Sequence, residues 1–272
     1  MSAAPRVAII GPGRLGNGLA RALEGAGWGV VLLGRNVVDE WRGQLKERPL
    51  VVVAVPDDAI ADVAAELVRA GAITSAHVVL HTSGACDRTA LAPLAGTGAA
   101  LGSFAPVQTV ADPATAAERL RGAYAVIEGD AAAVASGHRL AEALGMHAAE
   151  ITSAAKVAYH AGAVLVANLG TALFAMAERV AVEGGVPPAL AAKLYLPLWQ
   201  GALTNVEAMG AVGALTGPVR RGDVETVRRH LALLTGTERA AYVALSLEAL
   251  RLARMAGLAS GRARAVELAL QE

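Results

Sequence analysis

The sequence has few cysteine, lysine and aromatic residues. Cys86 is the only cysteine in 272 residues, which excludes an internal disulfide and any zinc site built from several cysteines. We therefore expect no bound metal and a reducing, cytoplasmic location. The formal net charge is zero, so no overall field would hold the protein on nucleic acid or on an anionic membrane. The expected ligand is a small molecule.

Long apolar runs are also scarce, although 54% of the residues are hydrophobic and only 18% are charged, as in a compact globular protein. The first ten residues lack the pattern of an export signal. The most apolar stretch, residues 161–177, is barely long enough to cross a bilayer, and Lys156 and Glu178 flank it closely. We expect it to form a buried core helix and not a membrane span.

Short apolar strands alternate with helical segments in the first half of the chain. This alternation predicts a doubly wound, mostly parallel α/β sheet of the Rossmann type. The predicted strands are residues 6–10, 29–33, 50–55, 77–80, 100–103, 123–127 and 146–151, and the predicted helices are residues 15–24, 58–69 and 131–144.

Beyond residue 152 the β-branched runs give way to long stretches rich in alanine and leucine. This pattern predicts an all-helical second half, interrupted only near residues 184–188 and 217–218. We therefore expect a Rossmann-like domain over residues 1–152 and an all-helical domain for substrate binding and dimerisation over residues 153–272.

A glycine-rich turn lies between the first predicted strand and the first predicted helix. The first glycine of such a turn permits a tight bend, the second lets the backbone approach a pyrophosphate, and the third lets helix and strand pack closely. An ordinary strand-to-helix turn can also contain three glycines, but this position favours a dinucleotide site. The predicted contacts are Gly11, Pro12, Gly13, Arg14, Leu15 and Gly16.

The end of the second predicted strand has a basic residue where an acidic one would hold an unphosphorylated ribose. Arg35, assisted by Asn36 or Arg14, could bind a 2′-phosphate, which predicts NADP(H) in preference to NAD. The alternative is a solvated arginine at a strand end.

The ends of the third and fourth predicted strands should border the nicotinamide half of the cofactor. Val55 and Pro56 follow the third strand, and Ser83 follows the fourth. For Ser83 a purely structural role in the turn is an equal alternative.

Three polar residues recur along the most apolar predicted helix. Lys156, His160 and Asn168 are spaced by four and eight residues, so they share one face of the helix. Reduction of a carbonyl or imine by hydride builds negative charge on the acceptor atom, which a nearby cation or acid would stabilise. We expect Lys156 to stabilise or protonate the alkoxide, with His160 as an acid and Asn168 orienting the substrate. The alternatives are structural roles for all three.

A second cluster, residues 215–223, combines a Gly-Pro pair with adjacent arginines. Asp223 is suited to cap the helix that follows. Arg220 and Arg221 could bind a carboxylate or simply lie on the surface.

The chain resembles a bacterial family of two-domain oxidoreductases, which join a Rossmann-like domain to a helical domain of unknown function. The resemblance rests on the turn at residues 11–16 and on four further segments, which are residues 81–84, 102–109, 159–161 with Asn168, and 215–223. Relatives often carry histidine in place of Ala105. The wider superfamily is similar to 6-phosphogluconate and 3-hydroxyacid dehydrogenases, ketopantoate reductase and pyrroline-carboxylate reductase.

This resemblance implies a homodimer formed through the helical domain. It also implies that a lysine and an asparagine near the start of that domain serve the substrate. Lys156 lies at the matching place, whereas Asn168 lies further along. The resulting prediction is an NADP(H)-dependent reductase of a small 2-oxo acid, with ketopantoate as the first candidate. The alternatives are an imine reductase of the pyrroline-carboxylate type and a non-catalytic sensor that binds a dinucleotide.

Overall fold

The computed structural model describes residues 4–34 and 38–272, and the chain divides into two compact units, residues 1–168 and 169–272. The predicted domain boundary after residue 152 lies within the first of these units.

The first unit contains a seven-stranded sheet in the order β2-β1-β3-β4-β5-β6-β7. All neighbouring strands pair in parallel except β5 and β6, which are antiparallel. This arrangement confirms the predicted doubly wound, mostly parallel sheet. The strands are β1 (Arg6–Ile10), β2 (Gly29–Leu33), β3 (Leu50–Val53), β4 (Val78–His81), β5 (Ala100–Pro106), β6 (Tyr124–Gly129) and β7 (His147–Glu150).

Six helices accompany this sheet, namely α1 (Arg14–Gly25), α2 (Val38–Leu45), α3 (Ile60–Arg69), α4 (Ala116–Leu120), α5 (Ala131–Ala143) and α6 (Lys156–Val166). Alternate residues of each strand point to opposite faces, so the sheet carries a core on both sides. Val7 and Ile9 of β1 join one core with α1 and α5, whereas Ala8 and Ile10 join the other with α2 and α3. The short helices α2 and α4 were not predicted from the sequence.

The second unit is helical, as predicted. Its helices are α7 (Asn168–Glu183, starting at the last residue of the first unit), α8 (Pro188–Ala214), α9 (Gly217–Arg221), α10 (Val224–Leu233), α11 (Gly236–Met255) and α12 (Ser260–Ala269). A small core joins the last four of these helices through side chains such as Val219, Val227, Leu250 and Val266. The helix α8 is interrupted at Gly210, where φ is +68°.

The expectation of a buried core helix near residues 161–177 is wrong for the single chain. The helical stretch Ser153–Glu183 is long and apolar enough to span a membrane, and only 6% of its most apolar window is buried. Val157, Leu165 and Val166 are each more than 60% exposed. Within the first unit, the described residues do not cover these side chains.

Candidate functional site

The glycine turn between β1 and α1 needs two of its three glycines for the fold itself. Gly11 has φ of +115°, and a Cβ atom there would lie 2.3 Å from the carbonyl oxygen of Ala54. A Cβ atom on Gly16 would lie 1.9 Å from the carbonyl oxygen of Gly11, so this glycine allows helix and strand to pack closely. Leu15 between them packs against the core.

Gly13 differs, because neither its backbone conformation nor its described neighbours require a glycine at this position. Among residues 4–34 and 38–272, a Cβ atom at Gly13 would meet nothing within 4 Å, and φ is an ordinary −73°. Gly13 is also the N-cap of α1, without a side-chain cap and without an acidic residue in the first turn. The exposed turn, which includes Pro12 and Arg14, therefore faces open space with uncapped N–H groups beside it. This is the geometry of an anion site at a helix N-terminus, and it fits the pyrophosphate of a dinucleotide.

Asn17 holds this turn in shape, a role that sequence analysis missed. Its side-chain amide donates to the carbonyl oxygens of Pro12 at 2.6 Å and Gly13 at 3.0 Å. The signal was present in the sequence, since asparagine often bonds nearby backbone groups at turns.

The turn lies at the point where the sheet reverses its winding direction. The chain passes from β1 to β2 on one side and to β3 on the other, and ligands of open α/β sheets bind beside this point at the carboxyl ends of the strands. Val55, which follows β3, borders Gly11, and Pro56 next to it is exposed. Arg35 and Asn36 lie outside the described residues.

A buried polar cluster lies at the carboxyl ends of β4 and β5. The amine of Lys156 is completely buried, and it donates to the carbonyl oxygen of Ser83 at 2.8 Å and to Oγ of Ser103 at 2.9 Å. Burial lowers the pKa of Lys156, and the nearby charge of Glu128 opposes that shift. The hydroxyl of Ser83 accepts bonds from the N–H groups of Ala85 and Cys86, so it serves its own turn.

Two further ionisable groups of this cluster are almost fully buried. Glu128 accepts from the backbone N–H of Arg88 and from the hydroxyl of Ser153. His81 accepts at Nδ1 from the N–H of Ser83, so its Nε2 must carry the proton that bonds the carbonyl oxygen of Asp87 at 3.0 Å. Burial lowers the pKa of His81, as does the charge of Lys156 to a smaller extent, and both favour the neutral ring.

A cavity of about 590 Å³ lies beside this cluster, and it brings together three of the segments that carried the resemblance. Thr82 and Gly84 follow β4, and residues 105–109 form the end of β5 and the segment after it. Tyr159, His160 and Asn168 come from α6 and the start of α7. A Cβ atom on Gly84 would lie 2.6 Å from Nδ1 of His160, so the glycine makes room for the imidazole ring.

The structure therefore brings together only two of the three residues that were predicted to share one helix face. His160 and Asn168 line the same cavity, whereas Lys156 is not among the described residues that do. Its amine instead donates to the carbonyl oxygen of Ser83, which lies between the lining residues Thr82 and Gly84. Sequence analysis also gave no role to Tyr159, whose pKa is raised by partial burial, so that its hydroxyl stays protonated near neutral pH.

Among the residues the structure describes, no group of three or more histidine, cysteine, aspartate or glutamate side chains could hold a metal ion. The arrangement offers two kinds of group at one edge of the sheet. The glycine turn provides backbone donors for an anion, and the cavity provides an imidazole, a phenol and an amide for a polar acceptor atom.

Comparison with protein families places the chain in a class of two-domain proteins. Residues 36–106 match the Rossmann-like domain, and residues 123–249 match DUF2520, a domain of unknown function. The chain thus combines a Rossmann-like domain with a DUF2520 domain, which confirms the family predicted from the sequence. No curated protein matches the sequence.

Solved structures share the fold at low sequence identity. Protein TM1727 from Thermotoga maritima is 23% identical, with a TM-score of 0.70 and coverage of 92% of this chain and 98% of that one. Bacteroides fragilis BF3122, provisionally described as an NADP oxidoreductase, is 20% identical (TM-score 0.67; coverage 93% and 98%). An NADH-preferring ketol-acid reductoisomerase from an uncultured archaeon is 13% identical (TM-score 0.63; coverage 90% and 82%).

Proposed function

We propose that the protein is an NAD(P)-dependent oxidoreductase that binds the pyrophosphate of the cofactor at the turn of residues 11–16. The observation that carries this proposal is Gly13, since the fold leaves open space over it and the adjacent helix N-terminus has no cap. The two similar structures described as NADP- or NADH-dependent support the same class of cofactor.

The cavity is suited to the nicotinamide end of that cofactor. Adjacent strands lie about 4.8 Å apart, so the turn after β1 and the cavity beside β4 and β5 are separated across the sheet by about 10 to 15 Å. An extended dinucleotide that crosses β3 covers this distance. Val55, Pro56 and the segment of Ser83 would then lie along its path.

We further propose a preference for NADP(H) over NAD(H). Support comes from the sequence, which has the basic residue Arg35, followed by the neutral Asn36, where an acidic side chain would bind an unphosphorylated ribose. A guanidinium group binds a phosphate in bidentate fashion, and Arg14 at the start of α1 could assist.

The proposed substrate is a small 2-oxo acid, with ketopantoate as the first candidate. When bound, a reduced nicotinamide would supply a hydride to the carbonyl carbon, and the carbonyl π electrons would move to the oxygen atom. That oxygen atom takes a proton from His160, while the hydroxyl of Tyr159 and the amide of Asn168 orient it by hydrogen bonds. The products are a 2-hydroxy acid and the oxidised cofactor.

We assign Lys156 a positioning role in this reaction. Its buried amine fixes the carbonyl of Ser83, and Ser83 precedes the glycine on which His160 rests. Its positive charge also favours negative charge that develops in the neighbouring cavity.

Imine reduction is the second candidate, because a pyrroline carboxylate reductase from Plasmodium falciparum shares the fold with a TM-score of 0.55. A protonated imine needs no proton on its nitrogen during hydride transfer, so His160 would matter less for that reaction than for reduction of a ketone.

The function is tested by following the oxidation of NADPH and NADH with a panel of 2-oxo acids and cyclic imines. We expect turnover with at least one 2-oxo acid and a lower KM for NADPH. Turnover confined to cyclic imines would select the second candidate. Tight cofactor binding without turnover of any substrate would favour the non-catalytic sensor.

The cofactor site is tested by Gly13→Asp. Because no described residue lies within 4 Å of a Cβ atom at Gly13, we expect the variant to keep its thermal stability and lose cofactor binding through steric and charge repulsion. The matched control is Gly16→Ala, whose Cβ clashes with the backbone, and it should lose stability. Normal cofactor affinity in Gly13→Asp would contradict the proposed site.

We also propose a cytoplasmic homodimer that acts on a small molecule and not on nucleic acid or a membrane. Support comes from the many exposed apolar side chains of the helical unit, including Leu194, Leu198, Leu203 and Met209 of α8, each about half exposed or more. A second copy that covers them would remove a large apolar area from water.

A further inference from the structure

The helical unit contains an arginine-lined cavity that the proposed reductase function does not use. Its volume is about 860 Å³, and it is bordered by α9, by the turn between α11 and α12, and by the start of α12. Arg220, Arg221 and Arg262 line it. The only polar side chain in the rest of its described lining is the hydroxyl of Thr216, so no acidic group there offsets the arginines.

The cavity is unusual because its arginines lack ion-pair partners among the described residues, whereas most arginines of this unit have one. Ten arginines occur in residues 169–272, and six of them form ion pairs with glutamates, namely Arg179, Arg228, Arg229, Arg251, Arg254 and Arg264. The other four are Arg220, Arg221, Arg239 and Arg262, for which the described part of the chain contains no ion-pair partner. Three of those four line this one cavity.

The backbone holds these side chains in place. Arg220 donates to the carbonyl oxygen of Ala256 at 3.1 Å, and Arg262 donates to that of Arg221 at 3.4 Å. Gly222 has φ of +67°, and a Cβ atom there would lie 2.8 Å from Cβ of Arg262, so the turn leaves room for that side chain. Each guanidinium has five N–H donors, and these bonds use only one of those of Arg220 and one of those of Arg262.

Two further features near the cavity affect its charge, namely the carboxylate of Asp223 and the N-terminus of α12. Asp223 accepts from both the backbone N–H and the hydroxyl of Thr226, and these bonds, with a smaller contribution from the charge of Arg221, lower the pKa of Asp223. Asp223 therefore offsets part of the charge of Arg221, whereas no acidic residue is among the described residues that line the cavity itself. The helix α12 begins beside the cavity with Ala259 as N-cap, so it has no side-chain cap, and its first turn contains no acidic residue. Its first N–H groups therefore add positive potential on the side where Arg262 lies.

We propose that this cavity binds a small molecule through a multiply charged oxyanion, either a phosphate group or a pair of carboxylates. Three cations with free donors and an uncapped helix terminus suit an anion of charge two or more better than a single carboxylate. All the residues that line this cavity belong to residues 169–272, whereas the glycine turn belongs to the first unit.

The test is isothermal titration of the full chain, free of cofactor, with inorganic phosphate, malonate and acetate at constant ionic strength. We expect saturable binding of phosphate or malonate and much weaker binding of acetate. Phosphate alone would identify a phosphate-bearing ligand, and malonate alone a dicarboxylate. Each replacement of a cavity arginine by alanine removes charge-assisted donors and should weaken binding of the anion by about tenfold.

The diagnostic variant is Arg221→Ala combined with Arg262→Ala, because both side chains are exposed and their loss should not impair folding. Arg239→Ala is the matched control, since Arg239 is also without an ion-pair partner among the described residues but does not line the cavity. Melting temperatures of all variants check that they fold.

Equal affinity in the wild type and the double variant would overturn the proposal. So would loss of phosphate binding in Gly13→Asp with normal binding in the double variant, since the anion would then occupy the glycine turn. Cofactor titrations of the same variants keep the two proposals distinct. The double variant should bind cofactor normally even if its anion site is lost.

Discussion

Lys156 is the residue whose environment differs most from the expectation based on sequence. Its position on α6 was evident from the spacing to His160, but its amine bonds groups that lie 73 and 53 residues earlier in the chain. Those partners belong to the loop after β4 and to β5, and helical periodicity does not contain that information. A lysine in an apolar helix can therefore be recognised as special from the sequence, whereas its burial depends on tertiary contacts.

Lys156→Met tests whether this lysine acts on the substrate or positions the Ser83 segment. The variant removes a charged donor from two buried acceptors, so we expect a loss of about 1 to 3 kcal/mol in the free energy of unfolding. Activity should fall mainly through kcat, with cofactor affinity preserved. Chemical denaturation and steady-state kinetics measure both quantities. Full stability with strongly reduced kcat would instead indicate direct contact with the reacting atoms.

His81 gives the fold a specific dependence on pH. Burial lowers its pKa in the folded protein, so below about pH 6.5 the unfolded chain takes up a proton that the folded chain resists. The stabilisation is therefore complete above that pH and is lost as the pH falls towards the lower, folded-state value.

His81→Asn removes this titration and keeps an acceptor for the N–H of Ser83. The stability advantage of the wild type should shrink on acidification, by at most about 1.4 kcal/mol per pH unit. Urea unfolding of both proteins between pH 7.5 and 5.5 measures the effect. A difference that stays constant over this range would show that His81 does not titrate as proposed.

At the scale of elements, the strand–turn–helix unit β1–α1 was predictable because its determinants are local. The apolar strand, the three glycines and the start of the helix are contiguous in sequence. The cavity was not predictable in the same way, since it joins the loop after β4, the end of β5 and α6. The spacing of His160 and Asn168 along one predicted helix, which the structure divides between α6 and α7, and the family resemblance suggested that these two residues belong together.

Gly84→Ala tests the contact between the β4 loop and α6. The added methyl group would meet Nδ1 of His160 at 2.6 Å, and the imidazole ring can rotate away at little cost to the fold. We expect nearly unchanged stability and a fall in kcat towards that of His160→Gln, measured by NADPH oxidation with the substrate identified in the panel. If Gly84→Ala had the activity of the wild type, the exact position of His160 would be unimportant.

At the scale of the whole molecule, the second half was correctly predicted to be helical, but the burial of its most apolar stretch was not. Amino-acid composition identifies an apolar surface, but it does not identify what covers that surface. A core helix, a membrane span and a subunit interface share the same composition. The low burial of Ser153–Glu183 within one chain removes only the first of these explanations.

A second copy of the chain is the partner that we expect on the exposed apolar side chains of α8. Sedimentation of the wild type should give the mass of a dimer, and Leu198→Glu combined with Leu203→Glu should shift it towards the monomer by placing charges on exposed positions of α8. Leu268→Glu is the matched control, because Leu268 is also about half exposed but lies on α12. Retention of the dimer in the α8 variant would exclude this face as the interface. A monomeric wild type that floats with phospholipid vesicles would show instead that the apolar helices contact a membrane.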